Sequence, residues 1–383
     1  MGKRASGEGT IRQRKDGRWE ARYSCGYDPK TGKPIRKSVY GLTQKEVREK
    51  LTSTIKSIDD NTYIAPSAIT VESWLDTWLK EYVKSSVKLL TFTSYDTISR
   101  VHIKPTLGRI KLQALKAPQI QALYNSLLAE GKSPKTIKNI HGVLHKALDK
   151  AVKIGYIQTN PASVCDIPRI EKKEIKPLNT DDISRFIKRL QTEEYKNLYL
   201  TTLFTGMREG EVLGLTWDCV DFERGTIIIN KQLQKEKTSG AKYYIAETKT
   251  SKIRVLTPAP YVMSLLKEEQ TKQKQNRLRL GYLWDNPLNL VFTTEIGRYI
   301  AFSTVYKRFK RIVAELGVPE ARFHDLRHTY ATLALQEGDD IKTVQTALGH
   351  STVSTTLDIY SHTTETMKEK SSQRMNNFIS KVI

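Results

Sequence analysis

Three short clusters in the C-terminal half hold side chains whose types and spacing suit chemistry on an anion. Gly206-Met207-Arg208-Glu209-Gly210-Glu211 opens an apolar helical run. His324-Asp325-Leu326-Arg327-His328-Thr329 spaces His324 and Arg327 three apart, which puts them on one face of a helix. Leu348-Gly349-His350 is followed ten residues later by Tyr360, within Leu357-Asp358-Ile359-Tyr360. Guanidinium groups donate in a planar fork that matches the oxygens of a phosphate, and imidazoles add single hydrogen bonds. Taken singly, each cluster has an ordinary reading. A His and an Arg on one helical face are usually a surface pair, an arginine at a helix start is usually solvated, and one tyrosine among 18 is usually packing.

The charge of the whole chain tells against those ordinary readings. Lys and Arg number 63 against 41 Asp and Glu over 383 residues, a formal +22. Such a balance points to a polyanionic partner, because cations that neutralise phosphates release condensed counterions from nucleic acid. Three cysteines, Cys25, Cys165 and Cys219, show no paired spacing, so neither a disulfide framework nor a zinc site is expected. Met1-Gly2-Lys3-Arg4-Ala5-Ser6 has no apolar core of a signal peptide, and no apolar run approaches membrane-spanning length. The expected location is the cytoplasm of a bacterium, for a bacterial or phage-encoded protein associated with the nucleoid.

In this order, and alongside a basic N-terminal half, the clusters resemble the tyrosine recombinase (phage integrase) family, and most of all conjugative-transposon or temperate-phage integrases. The family motif runs Arg, Lys, His-x-x-Arg, Gly-His, Tyr. Each piece has a match here, with Thr248-Lys249-Thr250, just before a strand, standing for the lysine-bearing hairpin. The resemblance covers nearly the whole chain. It implies a site-specific DNA recombinase that integrates and excises a mobile element or prophage. Tyr360 would attack phosphorus, leaving a 3′-phosphotyrosine and a 5′ hydroxyl, and the stored bond energy would let rejoining proceed without ATP. Arg208, Arg327, His350 and His324 would hold the phosphate oxygens as charge builds on them. Lys249 would protonate the leaving oxygen as general acid, His324 would accept the tyrosine proton, and Glu211 would orient an arginine or a histidine rather than react. No cofactor and no metal are expected, since the cations replace the charge of an ion. The partners implied are double-stranded DNA at attachment and arm-type sites, three further protomers in a tetramer on a Holliday junction, and an excisionase or host DNA-bending protein.

The elements that must position these residues fall into three segments: 1–65, 66–170 and 171–383. The fold class is multidomain: a three-stranded sheet plus helix, an all-α core-binding domain of SAM-like type, and a mixed, mainly α catalytic domain. In the first segment, strands are expected at Thr10 to Arg14, Arg18 to Cys25 and Pro34 to Tyr40, joined by Lys15-Asp16-Gly17 and a longer turn at Asp28 to Gly32. Trp19, Ala21 and Tyr23 alternate with Arg18, Glu20 and Arg22, giving one apolar and one charged face. Residues 1–50 carry 14 Lys and Arg against 6 Asp and Glu. Arg12, Arg14, Arg18, Arg22 and Arg36 are the candidates for contact with a DNA groove, the alternative being a solvated face. A helix follows, with Thr43 and Glu46 as capping box and Val47, Leu51, Ile55 and Ile58 packing on the sheet.

Pro66-Ser67-Ala68 reads as a linker. Four helices are expected beyond it, carrying Trp74 to Tyr82, Tyr95 to Val101, Ile120 to Leu128, and Ile137 to Val152, the last capped by Ser133 with Pro134 in its first turn. Lys135, Lys138, Lys146, Lys150 and Lys153 line the outer face of that helix as candidates for the DNA backbone or as a plain solvated stripe. Glu171 to Pro177 reads as a second linker. Strands are expected in the last segment at Gly225 to Asn230, Lys242 to Thr248, Ile253 to Leu256 and Leu290 to Thr293. Thr238-Ser239-Gly240 reads as a hairpin tip that touches DNA or a neighbour, or is a loose turn. Met367, Met375, Phe378, Ile379 and Val382 recur at roughly helical spacing after Tyr360, and the resemblance makes this a tail docking on the next protomer, packing in cis being the alternative.

Three rival functions carry distinct signatures. A type IB topoisomerase would relax a plasmid lacking any attachment site. A DNA-binding protein without catalysis would have lost a motif residue, and none is missing. A metal-dependent nuclease or transposase would stop cleaving in EDTA, but no carboxylate cluster of the two-metal kind is visible in the sequence.

Overall fold

Alternating residues at the N-terminus form an antiparallel sheet whose register decides which arginines meet which acids. The computed structural model describes residues 10–27, 31–59, 68–171, 177–236, 243–247, 253–350 and 372–380 apart from 374. Strands β1 (Thr10–Gln13), β2 (Trp19–Tyr27) and β3 (Pro34–Gly41) lie in the order β1-β2-β3. Ala21 and Tyr23 are buried beneath helix α1 (Gln44–Asp59), against its Val47 and Leu51, with Trp19, Ile55 and Ile58 at the margin. Thr43 caps this helix by accepting from Glu46 N–H at 3.2 Å, but Glu46 bonds back to Leu42 N–H rather than to Thr43.

The charged face lies outward as the alternation requires, but Glu20, expected to be exposed there, is only 3% exposed. Register sets Arg12 opposite Glu20 and Ser38 opposite Arg22, so the carboxylate collects Arg12 Nε (2.7 Å), Arg22 Nε (3.2 Å) and the Ser38 hydroxyl (2.8 Å). The Ser38 and Arg12 hydrogen bonds hold its pKa at about 2. Arg18 and Arg14 both pair with Asp16. Among the five candidate arginines only Arg36 is without a carboxylate among the described residues.

Contacts divide the chain into two compact units, 1–171 and 172–383. The first unit also holds the helical segment, with a separate core. Helix α2 (Val71–Thr77) runs into a π-helical stretch, Trp78–Val83, and α3 (Leu89–Ile98) into another, Ser99–Ile103, before α4 (Lys104–Leu107). Then come α5 (Ala117–Ala129) and α6 (Pro134–Lys153), the latter capped by Ser133, whose hydroxyl accepts from Thr136 N–H. Trp74, Leu75, Trp78 and Leu79 share one core with Ile137, Ile140, Leu144 and Leu148, and Trp74 donates its indole N–H to Ala147 O at 2.9 Å. Two of the five candidate lysines turn to aromatic rings: Lys146 binds the Tyr95 hydroxyl at 2.7 Å, and Lys150 sits 4.5 Å from the centre of Tyr82. Lys135, Lys138 and Lys153 are exposed.

In the second unit α7 (Thr180–Leu190) precedes α8 (Lys196–Thr205), which carries no charge after Lys196 and is buried on nearly every side, Thr202 and Thr205 returning their hydroxyls to carbonyls of the helix itself. Next come α9 (Glu209–Leu213), β4 (Val220–Asp221), β5 (Thr226–Ile229), β6 (Lys231–Lys235), β7 (Tyr243–Glu247) and β8 (Arg254–Leu256). They make a sheet ordered β4-β5-β8 and a hairpin β6-β7 whose tip, with Thr238-Ser239-Gly240, lies outside the described residues. The strand expected over Leu290 to Thr293 does not form. That segment makes isolated bridges from Leu290 to Thr216 and from Thr293 to Tyr299, while its Leu290 and Val291 carbonyls bond the buried Gln273 side chain. Helices α10 (Pro260–Leu280), α11 (Phe302–Glu315), α12 (Phe323–Glu337) and α13 (Ile341–Leu348) complete the unit. No described helix is long and apolar enough to cross a membrane.

Candidate active site

Helix α8 ends at Gly206, whose φ of 64° is left-handed, and a Cβ there would lie 2.5 Å from the Tyr330 ring. Two residues on, Arg208 caps α9. Its backbone N–H donates to Glu211 Oε2 (2.9 Å) and its Nη1 to Oε1 (2.7 Å). Arg327, 1% exposed on the first turns of α12, donates Nη1 to Gly206 O (2.6 Å) and Nη2 to Leu348 O. Arg254 on β8 grips both oxygens of Glu211, at 3.0 and 2.7 Å, and donates Nε to Ala347 O (2.8 Å). Arg208 Nη2 reaches Gly349 O at 3.0 Å.

Thus the carbonyls of Ala347, Leu348 and Gly349 each accept from a different guanidinium. The last carbonyls of a helix have no partner within it and carry the negative end of its dipole, so the C-terminus of α13 draws three cations together. His350 leaves from this point. Gln345 fixes its backbone by accepting from His350 N–H (3.1 Å) and by donating Nε2 to His350 O (3.1 Å). His324 and His328, one turn apart on α12, meet edge to face with ring centres 4.9 Å apart, and His328 Nδ1 is buried without a partner among the described residues.

The electrostatics follow from three arginines around one buried carboxylate. Burial would raise Glu211, but Arg254 and Arg208 hold its pKa at about 2. Burial and the charge of Arg208 lower Arg327 to about 9, so it stays protonated at neutral pH. His350 is lowered to about 4 by burial and by Arg327 and Arg208. His324 keeps an exposed edge, yet desolvation of the rest of its ring, with His328 and Arg327, lowers it to about 4 as well. Both imidazoles are therefore neutral at pH 7, each with one N–H to donate and one lone pair. An anion entering here would meet cations with hydrogen-bond donors beside them. Burial lifts the adjacent Glu209 to about 7, so part of its population is uncharged at neutral pH.

Arg208, Glu211, His324, Arg327 and His350, all singled out in the sequence, are brought together. Lys249 and Tyr360 lie outside the described residues. Sequence reasoning missed Arg254, His328 and Gln345. Arg254 had a signal, for it shares an inward register with Leu256 on a strand and so is a charge directed at the core.

Residues 170–367 match the phage integrase family, and residues 70–128 match its N-terminal SAM-like domain. The chain belongs to the phage integrase family of tyrosine recombinases. A tyrosine recombinase XerC-like protein of Caldanaerobacter subterraneus subsp. tengcongensis is 34% identical over 364 residues, covering 90% of this chain and 93% of that one. The fold is similar to the Tn1549 transposon integrase in complex with a circular intermediate DNA, with a TM-score of 0.69 and 24% identity over 80% of this chain and 99% of that one. It is also similar to a lambda integrase tetramer bound to a Holliday junction, with a TM-score of 0.55 and 18% identity over 92% and 96%. As a tyrosine recombinase the chain is a DNA strand-transferring enzyme, and its activity is site-specific DNA recombination.

Proposed function

We propose that this recombinase integrates and excises a mobile element by cleaving each strand with Tyr360, which forms a 3′-phosphotyrosine and releases a 5′ hydroxyl. Arg208, Arg327, His350 and His324 bind the non-bridging oxygens, whose charge grows as the phenol oxygen approaches phosphorus. Lys249 delivers the proton to the leaving oxygen, and a neutral His324 takes the proton that the phenol loses. The free hydroxyl of the partner strand then attacks the phosphotyrosine, reversing the step and restoring the enzyme. Glu211 orients Arg208. The observation that carries this reading is the convergence of Arg208, Arg327 and His350 on one end of α13.

The remaining assignments follow the same reading. Residues 1–65 serve as an arm-type DNA module, 66–170 clamp the crossover site, and 171–383 catalyse. Four protomers act on a Holliday junction, as the lambda integrase tetramer does, linked by the tail whose Met375, Phe378 and Ile379 are exposed. An excisionase or a host DNA-bending protein sets direction, and the reaction takes place in the cytoplasm. To test the chemistry, the enzyme is incubated with sheared DNA of its source cell, covalent complexes are trapped, and the attached DNA is sequenced to recover the crossover site. On a nicked duplex of that site, Tyr360→Phe should abolish covalent capture and leave DNA affinity intact. A covalent band that persists in this variant would mean that another residue is the nucleophile.

A further inference from the structure

Arg254 belongs to none of the motifs that led to the site, yet every group it binds there leads to a proposed phosphate ligand. It is only 9% exposed, and its hydrogen bonds run to Glu211 and Ala347. Glu211 also receives the backbone and the side chain of Arg208. Ala347 lies in the last turn of α13, two residues before Gly349, whose carbonyl binds Arg208, and three before His350. The guanidinium packs flat against this exit: a Cβ on Gly349 would sit 3.1 Å from Arg254 Nη1, and the left-handed φ of 64° allows the chain to turn there. One buried side chain thereby ties β8, α9 and the end of α13 together.

We propose that Arg254 is a positioning residue for strand cleavage, whose hold on Glu211 and on Ala347 O aims Arg208 and His350 at the phosphate without Arg254 touching DNA. The inference rests on the catalytic reading above. A buried carboxylate demands full neutralisation. If Arg208 were its sole partner, the fork of Arg208 would close on both carboxylate oxygens and turn from the ligand. With Arg254 bridging both oxygens, Arg208 spends one N–H on Glu211 and one on Gly349 O, and its remaining N–H groups stay available to a phosphate. Lysine cannot replace this arrangement, since a single ammonium does not span two carboxylate oxygens and a carbonyl in one plane.

The test uses the full chain and two nicked duplexes of the recovered crossover site, one natural and one with a methylphosphonate at the scissile position. The methyl group removes the non-bridging charge that Arg208 must meet. Arg254→Gln is expected to slow covalent capture of the natural duplex about 100-fold, and Arg254→Lys about tenfold, at unchanged DNA affinity. Arg208→Ala combined with Arg254→Gln should lose less than the product of the two single losses, because both changes act in part through the same guanidinium. On the methylphosphonate duplex both Arg254 variants should come within about threefold of the wild type. Equal losses on the two duplexes, or natural-duplex capture at the wild-type rate in a folded variant, would overturn the proposal. Melting temperatures are read alongside, and Arg254→Lys carries the test if Arg254→Gln does not fold. If Arg208→Ala itself captures DNA normally, the catalytic reading falls and takes this proposal with it. A normal Arg208→Ala defect beside unimpaired Arg254 variants removes the positioning role alone.

Discussion

On the N-terminal sheet, Arg12 and Arg22 share Glu20 while Arg14 and Arg18 share Asp16; in the second unit, Arg208 and Arg254 share Glu211 while Arg327 hydrogen-bonds to carbonyls. Each region gathers more guanidinium than carboxylate, but water treats them differently. The side chains of Arg18 and Asp16 are 58% and 38% exposed, and such pairs exchange partners at little cost. Those of Arg254 and Glu211 are 8% and 2% exposed, and separating them leaves a buried charge alone. The arginines around Asp16 form an adjustable cationic surface, whereas the pocket is fixed in advance, and the Glu20 cluster, its carboxylate 4% exposed, is nearer to the pocket in kind.

The largest expected effect lies in the pocket. Arg327→Ala should slow covalent capture about 1,000-fold, since it removes a buried donor and frees the end of α13. The same assay on Arg18→Ala should change little, and equal losses would erase the contrast. Glu211→Ala should destabilise the chain by about 3–5 kcal/mol in denaturant melts, because Arg254 keeps its charge and loses its counterion. Asp16→Asn should leave the denaturant midpoint nearly unchanged by the same measure.

Acid sharpens the contrast further. His324 and His350 have folded pKa values near 4, below the ordinary 6.5, so between those values the unfolded chain binds more protons than the folded one. The stability they contribute is present above pH 6.5 and is lost as pH falls towards 4. Glu209, raised to about 7, contributes with the opposite sign, so the histidines are isolated by replacing both with Gln: that variant should lose less melting temperature, or gain more, between pH 7 and pH 5 than the wild type. A bound phosphate opposes the loss by favouring the imidazolium, so DNA should protect most at low pH. The smallest effect belongs to the sheet. Arg36→Ala should lower the slope of log affinity against log salt by about one if Arg36 meets a phosphate, and Arg12→Ala by less, since Glu20 competes for it.

Much of this was legible in the sequence because it is local. The period of Ile137, Ile140, Leu144 and Leu148 gave α6 with its Ser133 cap, and the three-residue step from His324 to Arg327 holds on α12. Long-range registers were not legible. Glu20 alternates outward as expected, but it is buried because β1 and β3 bring Arg12 and Ser38 over it. Leu290 to Thr293 has the composition of a strand, yet its carbonyls are taken by Gln273. The seat at the end of α13 is made of backbone carbonyls, which no residue type announces. Arg254 is tied to it through a strand whose partner lies more than 20 residues upstream.

The left-handed glycine that ends α13 has a consequence for timing. Because three guanidiniums are already anchored around Gly349, like charges are gathered during folding and not during catalysis. On the proposed reading, the scissile phosphate meets cations that are already held in place around Gly349.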